Sequence, residues 1–357
     1  YPPGDGKLQA PRRGNGADFN PSAPYRMYHG DRVPGFPQHP HRGFETITAT
    51  LEGVIDHADS HGNSGRYGGG DLQWMTAGSG VQHSEMFPLV HTDQPNVCRF
   101  FQIWLNLPAA GKFSKPAFVM HWDEEVPRYS ADGATVTVWA GELGGKKGLP
   151  PPPDSWASKP ESDLAVWHIR LEPDGVLTIP AAKGGAATNR AVYVVEGTVE
   201  VSGKPVPRLN RAVLRAEQPV QLRNANGAVA ELLLLQGRPI GEPVAQHGPF
   251  VMNTQQEIQQ AFSDYRATQF GGWPWPANEV GPTFSTRGRF AVLDQKEELP
   301  PSLRPLRVKL MGLKTQALNG QLGTRGSYDM QSGRFAVKLD ADGKEVSVKE
   351  ANMEAEG

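Results

Sequence analysis

The chain has 357 residues and a net charge of -2, with 41 glycines, 32 prolines and one cysteine. That length suits two or three domains with a substantial core, and the charge balance excludes a general basic field for nucleic acid or anionic membrane. The lone Cys98 excludes an intramolecular disulfide and favours a reducing intracellular compartment (cytoplasm, nucleus or organelle), while no apolar run reaches the roughly 20 residues that span a bilayer.

The first residue is Tyr1 rather than Met, so any targeting segment would lie outside this sequence. Residues 1–24, rich in Pro, Gly and Asn without periodicity, read as an extended arm. From Tyr25 the pattern changes to short strands separated by turn residues. Thr46–Leu51, Val54–Ala58, Asp71–Met75, Arg99–Leu105, Pro116–Met120 and Ala134–Trp139 predict an all-β barrel over 25–148. Within it, His39 and His41 stand two apart, as do His83 and Glu85. In a strand that spacing puts each pair on one face. Two such strands facing each other would converge three imidazoles and one carboxylate, a donor set for iron, manganese, nickel, copper or cobalt. The plain alternative is polar residues on exposed strand faces. Four protein ligands on an octahedral ion would leave two positions open.

Pro150–Pro153 stiffens a connection over 149–164. A second β run over 165–277 repeats the strand–Glu–Gly–strand pattern, at 195–197 as at 51–53, which marks two similar units. Where the first unit has His39 and His41, the second has Thr188, Asn189 and Arg190. Its imidazoles, His168 and His247, are not paired, so this unit reads as structural or as a binding surface. Thr254 and Glu257, three apart, predict a capping box, and Ile258, Ala261, Phe262 and Tyr265 follow at helical spacing. Residues 278–304 read as a linker. Five short strands over 305–353 read as a small barrel, whose near balance of basic and acidic residues favours a protein contact over direct nucleic-acid binding.

The stretches His39–Thr46, Leu51–Gly53, Gly70–Gly78, His83–Met86, Phe101–Asn106, Gln246–Thr254 and Phe270–Trp275 closely resemble the pirin family of cupins, over roughly residues 18–277. The resemblance implies an all-β bicupin with a short C-terminal helix packed back across the interface between barrels. Residues 305–353, which resemble SH3-like (KOW-like) modules, would follow it as a small β-barrel. It carries over His39, His41, His83 and Glu85 as ligands of a non-haem iron. For several members it implies quercetin 2,3-dioxygenase activity, in which dioxygen opens a flavonol ring with loss of carbon monoxide; Glu85 is then the natural acceptor of the substrate's hydroxyl proton. Other members imply a different role, that of a non-catalytic redox-sensing metalloprotein or accessory subunit. A protein partner would then be held through the N-terminal arm or the C-terminal barrel. Arg42, Glu45, Gln73 and Gln102 are candidates for holding ligand imidazoles in one tautomer. Phe44, Trp74 and Met75 are candidate pocket or core residues, His57 and His61 read as solvated loop histidines, and Cys98 as buried and inert. The segment Pro21–Gly30 departs from the family pattern, which bears on the pocket entrance and substrate identity.

Overall fold

The structure, a computed structural model, describes residues 1–11, 28–30, 32–276, 279–284, 288–329 and 332–356. The expected arm and the segment at Pro21–Gly30 therefore fall largely outside the described residues. Residues 1–11 lie against the body, where Tyr1 stacks on Phe87 at 6.0 Å and Leu8 and Ala10 are buried.

The first barrel consists of β1 (Gly35–His41), β2 (Phe44–Glu52), β3 (Val54–Asp59), β4 (Ser64–Gly68), β5 (Leu72–Thr76), β6 (Val81–Met86), β7 (Arg99–Asn106) and β8 (Ala117–His121). One antiparallel sheet runs β1-β6-β3-β4 and faces another that runs β7-β2-β5-β8. Ile55, Tyr67, Met75, Phe118 and Trp122 fill the space between them. Strand alternation gives β2 and β5 two different jobs. Ile47, Ala49, Leu72 and Trp74 face outward and pack on Trp139, Val166 and Leu233 of the second barrel, while Thr48 and Met75 face in. The β1–β2 turn passes so close to Val251 that a Cβ on Gly43 would lie 2.1 Å from its carbonyl, and Gly43 has φ +84°.

The second barrel pairs a six-stranded sheet, ordered 211–214, 189–196, 230–237, 165–171, 134–140 and 128–131, with a four-stranded one. Ala134–Ala140, expected in the first barrel, thus belongs to the second. It pairs with Ala165–Leu171, and Ala134, Val136 and Val138 enter the second core. The chain changes barrels before the proline-rich connection.

The helix α1 (Gln255–Thr268) starts on the expected capping box of Thr254 and Glu257. Ile258 and Ala261 pack on Phe250, Met252 and Phe270, and Tyr265 donates to Gln82 of β6 at 2.9 Å. The helix is thereby fastened to the first barrel.

Residues 278–304, expected as a linker, carry a hairpin. Phe290–Leu293 pairs with β4 and Lys296–Glu298 pairs with that strand, which extends the first barrel's sheet to six strands. An edge strand left open presents unpaired backbone groups; here β4 is covered, and Ala291 joins the first core. Beyond it, Leu306–Leu310, Leu322–Asp329, Arg334–Leu339, Glu345–Val348 and Met353–Ala355 form a five-stranded antiparallel sheet. Its last strand returns to pair with its first, around Val308, Leu310, Val337, Leu339 and Val348. Arg289 ties this region to the first barrel through Asp71 at 2.7 Å and Glu124 at 2.5 Å. Among the described residues no helix is long and apolar enough to cross a membrane.

Candidate metal centre

Three imidazoles meet inside the first barrel. His39 and His41 come from β1 and His83 from β6, and His39 sits directly opposite His83 in the register. A shift of register between Phe36 and His39 bulges β1 and places Phe36 opposite Glu85. One ligating atom from each of the three rings lies within 4.8 Å of the others. Their centroids are 4.5 to 4.9 Å apart.

The hydrogen bonds sort the ring nitrogens. His39 Nδ1 donates to the Pro37 carbonyl at 2.8 Å, and His41 Nδ1 to the Pro249 carbonyl at 3.4 Å. Both rings keep Nε2 as a lone-pair donor. His83 is fully buried and neither of its nitrogens has a protein partner. A buried imidazole left unsatisfied on both sides costs free energy unless something takes a nitrogen. Burial, reinforced by His39, holds His41 down to about 3. Burial and then the other imidazoles push His83 well below its ordinary value. The rings are therefore neutral at physiological pH, the form that binds a metal. An orphaned buried nitrogen, two further rings with free Nε2 and no thiolate make a donor set that fits a divalent first-row ion.

Glu85 lies two residues beyond His83 on the same face of β6. Its carboxylate accepts from Gln102 Nε2 at 2.7 Å and from Thr48 Oγ1 at 3.2 Å. The close three-membered group consists of the histidines, with Glu85 turned toward those two donors. Gln73, Thr48 and Gln102 are in register across β5, β2 and β7. Gln102 thus holds Glu85 rather than an imidazole, and Gln73, buried, has no partner for its Nε2.

Two of the expected supporting residues lie elsewhere. Arg42 donates to the Ser79 carbonyl and to Asp264 of α1, both at 2.7 Å, so it anchors the helix rather than a ligand. Glu45 has the opposite parity to Thr48 on β2, which turns it out of the barrel toward the connection, where it accepts from Ser155 at 2.6 Å and Thr76 at 2.5 Å. Backbone carbonyls take the role in which these side chains were expected. His57 also departs from expectation. It is fully buried on β3, its ring 5.4 Å from His83 and its Nε2 3.5 Å from Asp59. His61, in the turn after β3, is exposed as expected. Cys98, expected to be buried, is half-buried, and desolvation pushes its thiol up to about 12.

Trp104 was not anticipated. It shares its β7 face with Gln102, lies 5.5 Å from His41 and 4.3 Å from Phe44, and is 41% exposed. One indole thereby spans from solvent to the histidine cluster. The signal was present in sequence, because Gln102 and Trp104 stand two apart in one strand.

Glu45 yields a pH prediction. Burial outweighs the hydroxyl donors and raises its carboxyl from an ordinary 4.5 to about 7. The folded state then keeps a proton that the unfolded chain releases. The stabilisation is full below pH 4.5 and is lost as pH rises through 7. Glu45→Gln is expected to remove this decline, worth about 3 kcal/mol at pH 8. The change in Tm between pH 5 and pH 8, compared for variant and parent, measures it.

The family model described as pirin matches residues 16–105, and that of the pirin C-terminal cupin domain matches residues 166–271. The pirin of Homo sapiens is 36% identical over 261 residues, spanning 71% of this chain and 84% of that protein. A pirin-like protein of Caulobacter vibrioides is 38% identical over 249 residues, 67% of this chain and 82% of its own. Among solved structures, a quercetin 2,3-dioxygenase from Acinetobacter baumannii aligns with TM-score 0.61 and 32% identity, covering 70% of this chain and 84% of that one.

Proposed function

Because the chain belongs to the pirin family of cupins, we propose that it is a metal-dependent dioxygenase acting on a flavonol-like phenol. In this reading His39, His41, His83 and Glu85 hold one divalent ion, iron first among the candidates. The observation that carries it is His83, buried with both nitrogens free beside two neutral imidazoles. A bound ion there supplies Lewis acidity toward a phenolic hydroxyl and redox access to dioxygen. The protein does the rest. Glu85, steadied by Gln102 and Thr48, accepts the hydroxyl proton. Trp104, backed by the buried Phe44, offers an aromatic face on the His41 side, and the planar ring of a flavonol suits such a face.

Elemental analysis of the purified protein, paired with oxygen uptake on quercetin, tests the proposal. One iron or manganese per chain with metal-dependent uptake supports it. Stoichiometric metal without uptake on quercetin or related phenols overturns the enzymatic reading. Trp104→Ala is expected to raise KM about tenfold or more with a smaller change in kcat, since it removes a binding wall and no proton acceptor. An unchanged KM would remove Trp104 from the substrate site.

The redox-sensing or accessory-subunit alternative draws on the five-stranded sheet at 306–355, which lies outside both matched segments. Binding of a partner that depends on metal oxidation state, without turnover, would favour it.

A further inference from the structure

A cleft of about 580 Å³ opens at the junction of the two barrels, between the Gly148–Asp163 connection and the second barrel, apart from the histidine cluster. Its walls are Trp74, Trp167, Leu164, Pro150 and Pro180, and Arg190 lines it as well. Arg190 is 3% exposed. Its Nε donates to Gln236 Oε1 and its Nη1 to the Pro180 carbonyl, both at 2.7 Å and both neutral acceptors.

The arginine has no direct ion pair: Asp163 acts on it only through space. Other buried arginines have one: Arg66 is held by Asp56, Arg42 by Asp264, and Arg325 lies 3.9 Å from Glu350. No carboxylate of the described residues pairs with Arg190. Asp163, which also lines the cleft, has one carboxylate oxygen committed to Gly184 N at 2.8 Å and Thr188 Oγ1 at 2.7 Å. A guanidinium keeps its charge when buried, and leaving it unpaired is costly. Two of its five N–H donors are used here. The end-on fork of Nη2 and the second Nη1 hydrogen is left, a geometry that matches a carboxylate. The cleft volume falls in the range of small-molecule sites. Indole and proline walls suit a flat apolar body, and the exposed Lys147, Lys159 and Lys183, which also line the cleft, add positive charge around it.

We propose that this cleft binds an aromatic monocarboxylate, its carboxylate on Arg190 and its ring against the tryptophan and proline walls. The site is independent of the metal centre. Of Thr188, Asn189 and Arg190, which stand where the first barrel has its histidines, Arg190 reaches the cleft.

Calorimetric titration of the full chain with benzoate, benzamide and inorganic phosphate tests the assignment. Benzoate is expected to bind at one per chain, with benzamide and phosphate weaker by roughly 10- to 100-fold, the value of a charged hydrogen-bonded contact. Arg190→Gln should weaken benzoate by a similar factor. Leu164→Trp, which fills the cleft without touching the guanidinium, should do the same, and it decides alone should Arg190→Gln fail to fold. His83→Ala should leave benzoate binding intact. The proposal is overturned by any of four results: no saturable benzoate heat up to about 10 mM, equal affinity for benzamide, equal affinity for phosphate, or benzoate binding that is undiminished in the folded Arg190→Gln or Leu164→Trp variant.

Discussion

His83→Ala is expected to strip the chain of stoichiometric metal while the second barrel stays folded. Residues that merely support a metal ligand cost 10- to 100-fold in affinity when removed, so loss of an imidazole at the centre of the cluster should cost more. The thermal behaviour should also split. Chelation should lower the Tm of the parent, since metal binding adds to the folded state alone, and leave the variant's unchanged. The apo forms should differ little, because the alanine removes two unsatisfied buried nitrogens along with the ring contacts to His39, His41 and His57. His39→Ala should behave alike. His168→Ala and His247→Ala should keep full metal content; His168 instead stacks on Trp139 beside Glu231. One ion per chain in His83→Ala, by elemental analysis, would refute the site.

The second large effect concerns stability. Asp56→Ala should cost about 3–5 kcal/mol, the penalty for removing one partner of a buried ion pair. Arg66 and Asp56 are both fully buried and joined by two hydrogen bonds, Nε to Oδ1 at 2.6 Å and Nη2 to Oδ2 at 2.7 Å. They sit on the outer face of β3 and β4, which would meet water but for the C-terminal segment. Phe284 N donates to Asp56 at 2.9 Å, and Phe284 packs edge-on to Phe290 at 5.2 Å above the pair. Asp56→Ala with Arg66→Met removes both charges and should recover most of the loss. Urea midpoints of the two variants measure this. A single-variant cost under about 1 kcal/mol, the scale of an exposed pair, would mean that water reaches the guanidinium.

The histidine centre was legible because a strand's two-residue period is a local property. His39 with His41, and His83 with Glu85, declare a shared face without reference to the rest of the chain. The same period, applied to β2, would have separated Glu45 from Thr48 and moved Glu45 to the barrel interface. Partnership across the chain was not legible. Nothing around Arg42 announces Asp264, more than two hundred positions later. The strand Ala134–Ala140 suits either barrel by pattern, and only pairing with Ala165–Leu171 assigns it. The hairpin at 290–298 is short, and its second strand, Lys296–Glu298, is all charged, so composition reads as linker where backbone pairing with β4 makes sheet. His57 looked like a loop residue because glycines crowd the turn after it. The strand ends at Asp59, one residue beyond the expected Ala58, and its pairing with β6 carries His57 to within reach of His83.

The hairpin on β4 also sets an order of events during synthesis. The first barrel's own eight strands have been synthesised by residue 121, yet the strand that closes its sheet edge comes only at Phe290–Leu293. At 5–20 residues per second, the nascent barrel waits on the order of ten seconds or more with that edge open and the Asp56–Arg66 pair uncovered. The half of the molecule that carries the histidine cluster, though made first, is completed only after the second barrel.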